Sequence, residues 1–259
     1  MRFSSLSKFF TGLLVSVMLL ASCSAGAPAD EVTNEAVTGT APEETVSEET
    51  APAETTSEET ATTYILPPPV TDGDMSVEYA LENRRSQRNF QDKALSPEQI
   101  SQILWAAYGI TESGRGLRTA PSAGALYPLE IYAVIGNVDG LAPGVYKYIA
   151  DGHKLALQRE GDKRDELSGA AFNQSMVREA PASVFFSAVF SRTTERYGER
   201  GRHFIYIEVG HAAQNVYLQA EALGLGTCAI GTVTDDAKDI IGLPAEEDPL
   251  YLMPFGYFK

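Results

Sequence analysis

Residues 210–231 read "GHAAQNVYLQAEALGLGTCAIG". Gly224, Gly226 and Ala229 match the G-x-G-x-x-A form of a dinucleotide fingerprint, which has to follow a strand and open a helix. Here the order is reversed. Apolar residues recur nearly all round through "RHFIYIEVGHAAQNVYLQAEALG", predicting a long central helix that the glycines close. A strand, "GTCAIGTV", is expected after them. The parallel dinucleotide-binding sheet is therefore excluded. What remains is backbone brought close to something flat, beside the simpler reading of Gly224 as a helix C-cap. Cys228 has no His–carboxylate setting in its neighbourhood and reads as a small buried residue.

Outward from this stretch the pattern is mixed. "LEIYAVIGN" and "GVYKYIA" flank a turn and predict paired strands, with "HKLALQRE" a third; "ASVFFSAVF" reads as a buried strand and "LYLMPFGYF" as the last. "MSVEYALENRRS" predicts a helix. "LSPEQISQILWAAYG" predicts another, with Ser96 as N-cap, Pro97 at its first position, Gln99 closing a capping box and Gly109 as terminator. Trp105 on that helix is expected in the core. Hairpins among helices indicate an α+β fold with a mainly antiparallel sheet.

The chain has 259 residues and a formal net charge of −15. Residues 76–259 hold 23 acidic and 18 basic side chains, a balance of −5, so most of the acidity lies upstream. No Lys/Arg stripe points to nucleic acid, and none is expected as a partner. The N-terminus carries Arg2 and Lys8, then the apolar run "GLLVSVMLL", too short for the roughly 20 residues of a membrane span. This is a signal-peptide pattern. "LASC" ends it, and resembles the bacterial lipoprotein box. That resemblance implies residues 1–22 as signal peptide, lipidation of Cys23, and an extracytoplasmic, membrane-anchored protein. Residues 23–75 are rich in Thr, Glu and Pro with near-repeats "EETVSEET" and "AETTSEET". They offer little apolar surface to bury, and are expected to form a disordered acidic tether. The folded domain is expected at 76–259.

Two further stretches hold candidate chemistry. "RRSQRNF", residues 84–90, places Arg84, Arg85, Ser86 and Arg88 where a helix ends. Guanidinium forks match phosphate oxygens, while the plain alternative is a solvated helix end whose cations favour the dipole. "TAPSAGALYP", residues 119–128, sets Pro121 and Pro128 around Ser122, Ala123 and Gly124, a rigid loop with a glycine hinge. His211 and Asn215, four apart, share one helix face. A metal site would need two more ligands, and only His153 and His203 remain, so packing against a second subunit is expected for them and no metal.

Taken in order, "RRSQRNF", "APSAGALYP", "GHAAQNVYLQAEALGLGTCAIG" and the terminal "PFGYFK" resemble the nitroreductase-like flavoproteins, and "PSAGALYP" resembles their SagB/ThcOx-type dehydrogenase branch. The resemblance covers residues 76–259. It implies an intertwined homodimer of nitroreductase-like fold, its central sheet flanked by helices, with FMN bound at the subunit interface. It implies Arg84, Arg85 and Ser86 as ligands of the flavin phosphate and ribityl chain, and Arg88 as the cation near the pyrimidine carbonyl. Pro121, Ser122, Ala123 and Gly124 resemble the loop reaching the flavin from the partner. Ile230 and Gly231 resemble the backbone beside the flavin N5 edge, and Lys259 a basic phosphate ligand. Azole-forming relatives carry a Lys-Tyr pair before the long helix; this chain has Arg196 and Tyr197. Arginine stays protonated and cannot serve as a general base, whereas Tyr197 retains a proton to donate. The implied activity is an FMN-dependent oxidoreductase working by ping-pong transfer to or from a small organic substrate. The alternatives are an azoline-type peptide dehydrogenase, a flavin-binding lipoprotein without turnover, and flavin fragmentation.

Overall fold

Strand β7 (Ala182–Val189) is buried along its whole length, which only a strand covered on both faces can be. It lies inside a seven-stranded sheet. In chain order the strands are β1 (Thr63–Ile65), β4 (Leu129–Ile135), β5 (Gly144–Ile149), β6 (Lys154–Glu160), β7, β8 (Gly226–Thr227) and β9 (Glu247–Gly256). Across the sheet they run β1-β6-β5-β4-β7-β9-β8, and every pairing is antiparallel. A small hairpin, β2 (Ile110–Glu112) with β3 (Leu117–Arg118), stands apart. The computed structural model describes residues 62–259; Cys23, the signal segment and most of the expected tether lie outside them.

Alternation along β4 builds the layers. Ile131, Ala133 and Ile135 face one side and pack with Ile100, Ile103, Leu104 and Ala107 of helix α2 (Pro97–Tyr108) and with Ile205, Val209, Ala212 and Val216 of α6 (Arg200–Ala222). Tyr132 and Val134 face the other side. There they meet Leu167 and Ala170 of α3 (Arg164–Ala170), Val177 of α4 (Ser175–Glu179) and Ala237 and Ile241 of α7 (Ala237–Ile241). Helix–sheet–helix layering around an antiparallel sheet is the α+β architecture that the sequence pattern implied.

Local signals on α2 match expectation. Ser96 Oγ accepts from the Gln99 amide, the Gln99 side chain accepts from the Ser96 amide at 3.0 Å, and Gly109 ends the helix. Trp105 is only half-buried, since it lines a surface cleft, while its ring lies against Gly109, where a Cβ would come within 2.3 Å of it. Helices α3, α4 and α7, together with α1 (Val77–Asn83) and α5 (Ser191–Tyr197), have five to seven residues each. That is too short for a 3.6-residue repeat to declare itself, and of these only α1 was legible. "GTCAIGTV" forms two strand residues rather than a full strand, since the Ala229 amide turns to the Tyr217 hydroxyl at 2.8 Å.

The domain boundary expected at Ser76 falls inside the folded body. β1 pairs with β6, Leu66 is buried, and Gln102 holds both backbone groups of Val70 at 2.8 and 2.9 Å. His153 binds the Pro67 carbonyl at 3.1 Å and the Ser101 hydroxyl at 2.6 Å, with Tyr148 on its other ring nitrogen. Burial pushes its pKa down. "YILPPPV" is thus a strap laid over the sheet edge and α2.

Candidate functional site

Helix α6 organises two clusters at different points of its length. The first surrounds Tyr217. Its hydroxyl accepts the Ala229 amide and lies 3.0 Å from Ser86 Oγ, while the Arg84 guanidinium sits over its ring, 5.0 Å from the centroid. Ser86 bridges to Thr227, and the Gln87 amide donates to the Thr227 carbonyl at 2.9 Å. "RRSQRNF" is therefore stitched onto the turn that follows α6. The closing tail runs antiparallel to it: Phe90 pairs with Phe258, and the Lys259 amide donates to the Asn89 carbonyl at 3.0 Å. Gly226 is required here, because a Cβ would come within 2.6 Å of the Gln87 side chain and 2.9 Å of Phe258.

Arg84, Arg85, Arg88 and Lys259 are thus brought to one edge, and none of them joins an ion pair among the described residues. Unneutralised cations on exposed or half-exposed backbone suit a phosphate dianion. Arg85 also fits the plain reading, since Nη1 donates to the Glu82 and Arg84 carbonyls at 2.8 Å each, capping α1. Beside the cluster, Ile230 is not free to present its amide: its N–H and C=O are both bonded to Leu252, at 2.8 and 3.0 Å. The next residue, Gly231, is exposed. Cys228 is fully buried, and burial pushes its thiol up to about 11, against the opposing field of Arg88. It is a packed neutral thiol.

The second cluster surrounds Glu208, a residue that sequence reading missed. The residue is 2% exposed. It accepts from the Ser122 hydroxyl at 2.6 Å and from the Tyr108 hydroxyl. Ser122 Oγ in turn accepts the Tyr127 amide at 2.9 Å. Arg118 stacks on Tyr108 and Tyr127 at 4.4 and 5.2 Å. These contacts clamp a loop in which Gly124, Ala125 and Tyr127 all have positive φ, 63°, 54° and 47°. For the non-glycine residues that costs about 1–3 kcal/mol each. Ser122's hydroxyl is committed to its own chain. Gly124 has an own-chain reason as well, because a Cβ would lie 2.7 Å from the Tyr197 hydroxyl and 2.9 Å from Arg196 Nη1. The loop 121–124 therefore touches Arg196 and Tyr197 of α5. Asn215 likewise turns to its own chain, donating to the Thr119 carbonyl at 3.2 Å, while His211 is exposed.

The signal for Glu208 was an acidic residue within an apolar helical run, which needs buried partners. Burial raises its pKa, opposed by the Ser122 and Tyr108 hydrogen bonds and by Arg118. The sign follows from linkage. With the folded value above the unfolded one, the folded state holds more protons, and stability falls as pH rises from the ordinary glutamate range through the raised value. Urea unfolding across that window should show the parent losing stability relative to Glu208→Gln, which carries no titrating group there. A parent that gains on the variant with rising pH would contradict the burial effect.

Tyr217 and Glu208 are nine residues apart on α6. At 1.5 Å and 100° per residue, their clusters stand about 14 Å apart along the helix and half a turn apart around it. One subunit does not bring the cation cluster and the 121–124 loop onto a common face. Nor does the cleft of about 410 Å³ between α1, α2 and α6 join them; it is lined by Ala80, Trp105, Thr119, Asn215 and Leu218, and by none of the cations. Meanwhile Tyr206 and Ile207 of α6 are 51% and 43% exposed, so the helix is not covered all round as its composition implied.

Comparison with known proteins agrees with this architecture. A protein of Methanocaldococcus jannaschii described as a nitroreductase is 43% identical over 184 residues, spanning 71% of this chain and 91% of its own. An FMN reductase (NADPH) of Bacillus subtilis is 25% identical, over 68% of this chain and 63% of its own. The microcin B17-processing protein of Escherichia coli is 28% identical, over 58% of this chain and 57% of its own. The crystal structure of a nitroreductase-type protein from Ralstonia eutropha superposes with a TM-score of 0.68 at 28% identity, covering 76% of this chain and 90% of that one. Residues 81–257 match the nitroreductase family, and the chain belongs to that family of oxidoreductases.

Proposed function

We propose that this chain is an FMN-dependent oxidoreductase of the SagB/ThcOx type, working as a homodimer on a small organic substrate. The observation carrying the reading is the split site. Arg84 lies over Tyr217, with Arg85, Arg88 and Lys259 on the same segment and the tail bonded to it, and none of the four joins an ion pair among the described residues. A strained loop lies around Glu208 on the opposite face of α6. A second copy of the chain would bring its loop to the first copy's cations. The residues present fit the cofactor. Arg84, Arg85, Arg88 and Lys259 would hold the phosphate end, Ser86 and Tyr217 the polar chain, and Gly231 would offer open backbone to the ring edge. When bound, the flavin supplies the two-electron chemistry and links a donor to an acceptor in alternate half-reactions. The protein's part is to bind, orient and shield it, with Tyr197 beside the loop at the place where substrate would lie. The microcin-processing relative favours azoline dehydrogenation as a second reading, and Arg196 in place of a titratable lysine weighs against it.

The chain as purified should carry tightly held flavin, released as FMN on denaturation, that bleaches on addition of an electron donor and recovers on addition of a nitroaromatic or quinone. Colourless protein that takes up no FMN would refute the cofactor assignment. Yellow protein that no donor reduces would favour the non-catalytic flavin-binding alternative.

Export and anchoring are part of the same proposal, supported by "GLLVSVMLL" and "LASC". Cys23→Ala should release the protein from membranes or leave it as an uncleaved precursor; normal cleavage with full membrane retention would remove the lipid from the account.

A further inference from the structure

The loop 118–127 is flanked by three guanidiniums, and two are held by groups of their own chain. Arg118 donates to the Tyr108 carbonyl at 3.1 Å, stacks on the Tyr108 ring, and opposes the burial that raises the pKa of Glu208. Arg192 pairs with Glu130 at 2.6 Å and donates to the Tyr127 carbonyl at 3.1 Å. The third, Arg196, stands on the open side. Its guanidinium is 5.4 Å from the Tyr197 ring centroid, and a Cβ on Gly124 would lie 2.9 Å from its Nη1. It joins no ion pair among the described residues. Its acidic neighbours Glu195 and Glu199 are exposed and join none either. Tyr197's own ring is fixed edge-on against Phe204, 5.1 Å between centroids.

Resting on the reading of 121–124 as a wall of the flavin site, we propose that Arg196 and the Tyr197 hydroxyl form the anchor for a carboxylate on the substrate. A planar fork and one hydroxyl, side by side at the end of α5 against the loop, offer donors to two oxygens, which is the demand of a carboxylate. A phosphate dianion, with three oxygens and nearly twice the charge, is met instead by the cation cluster around Tyr217. The position that an azoline oxidase gives to a base is here an electrostatic selector. It favours small organic acids over their neutral counterparts, and Tyr197 holds one carboxylate oxygen.

The test uses the full-length, flavin-loaded protein, with para-nitrobenzoate and its methyl ester as matched probes titrated by calorimetry. The acid should bind about tenfold more tightly than the ester, the minimum expected of one charge-assisted hydrogen bond. Arg196→Gln should erase that preference, weakening the acid about tenfold while leaving the ester nearly unchanged, and Arg196→Lys should restore part of it. Equal binding of acid and ester by the parent, an equal loss of both in Arg196→Gln, or binding of neither compound would overturn the proposal. Flavin absorbance read on the same samples separates the two levels. A flavin-free protein defeats the redox reading, whereas a flavin-loaded protein without acid preference defeats the anchor alone.

Discussion

Arg84→Ala should weaken FMN affinity about ten- to a hundredfold in a fluorescence titration of flavin-stripped protein. FMN phosphate carries about −1.5 to −2 charges near neutral pH, and a hydrogen bond to a charged group contributes roughly 1.5–3 kcal/mol, with tenfold in affinity for each 1.4 kcal/mol. Arg84 lies over the Tyr217 ring and carries no acidic partner among the described residues, so the substitution removes a cation without freeing an acid. Arg85→Ala should cost less, because the Arg85 guanidinium bonds to the helix-end carbonyls of Glu82 and Arg84. The order of the two effects is therefore as informative as their size. Riboflavin, which lacks the phosphate, should bind both variants and the parent alike. If Arg84→Ala titrates with FMN like the parent, the phosphate does not lie at this cluster.

Much of the architecture was legible in the residues, for reasons that differ by element. The capping box of α2 is local chemistry confined to four residues, so Ser96, Pro97 and Gln99 announced it without any tertiary context. The strands β4, β5 and β7 were legible because burial on one or both faces leaves a continuous or alternating apolar record. The strap at 62–70 was not, since its burial rests on partners far along the chain, Gln102 and His153, that nothing in "YILPPPV" specifies. The candidate site divides in the same way. "RRSQRNF" and "PSAGALYP" carry dense, unusual residue choices and were found directly. Glu208 and Tyr217 were overlooked because each is an ordinary residue within a long helix. Their roles come from a rotation of half a turn that brings one to the loop and the other to the cations. Gly124 was read as the hinge of a loop reaching the flavin, and the structure gives it a nearer neighbour in Tyr197.

The shared site is tested most directly by mixing two defective chains. The first carries Arg84→Ala with Tyr217→Phe, which disables the cation cluster. The second carries Ala123→Trp, which places bulk in the half-exposed loop where a ring would lie. Each alone should form dimers with little flavin. A heterodimer, isolated through two affinity tags, contains one site damaged on both sides and one site with neither lesion. It should regain up to half the flavin of the parent dimer, and that flavin should stabilise the dimer by mass action, because ligand is bound only by the assembled form. If each protomer instead held its flavin alone, both sites of the heterodimer would carry a lesion and neither would recover. The account predicts flavin in the isolated heterodimer approaching half that of the parent; heterodimers with no more flavin than the two defective parents, or a parent protein that is monomeric with full flavin content, would contradict it.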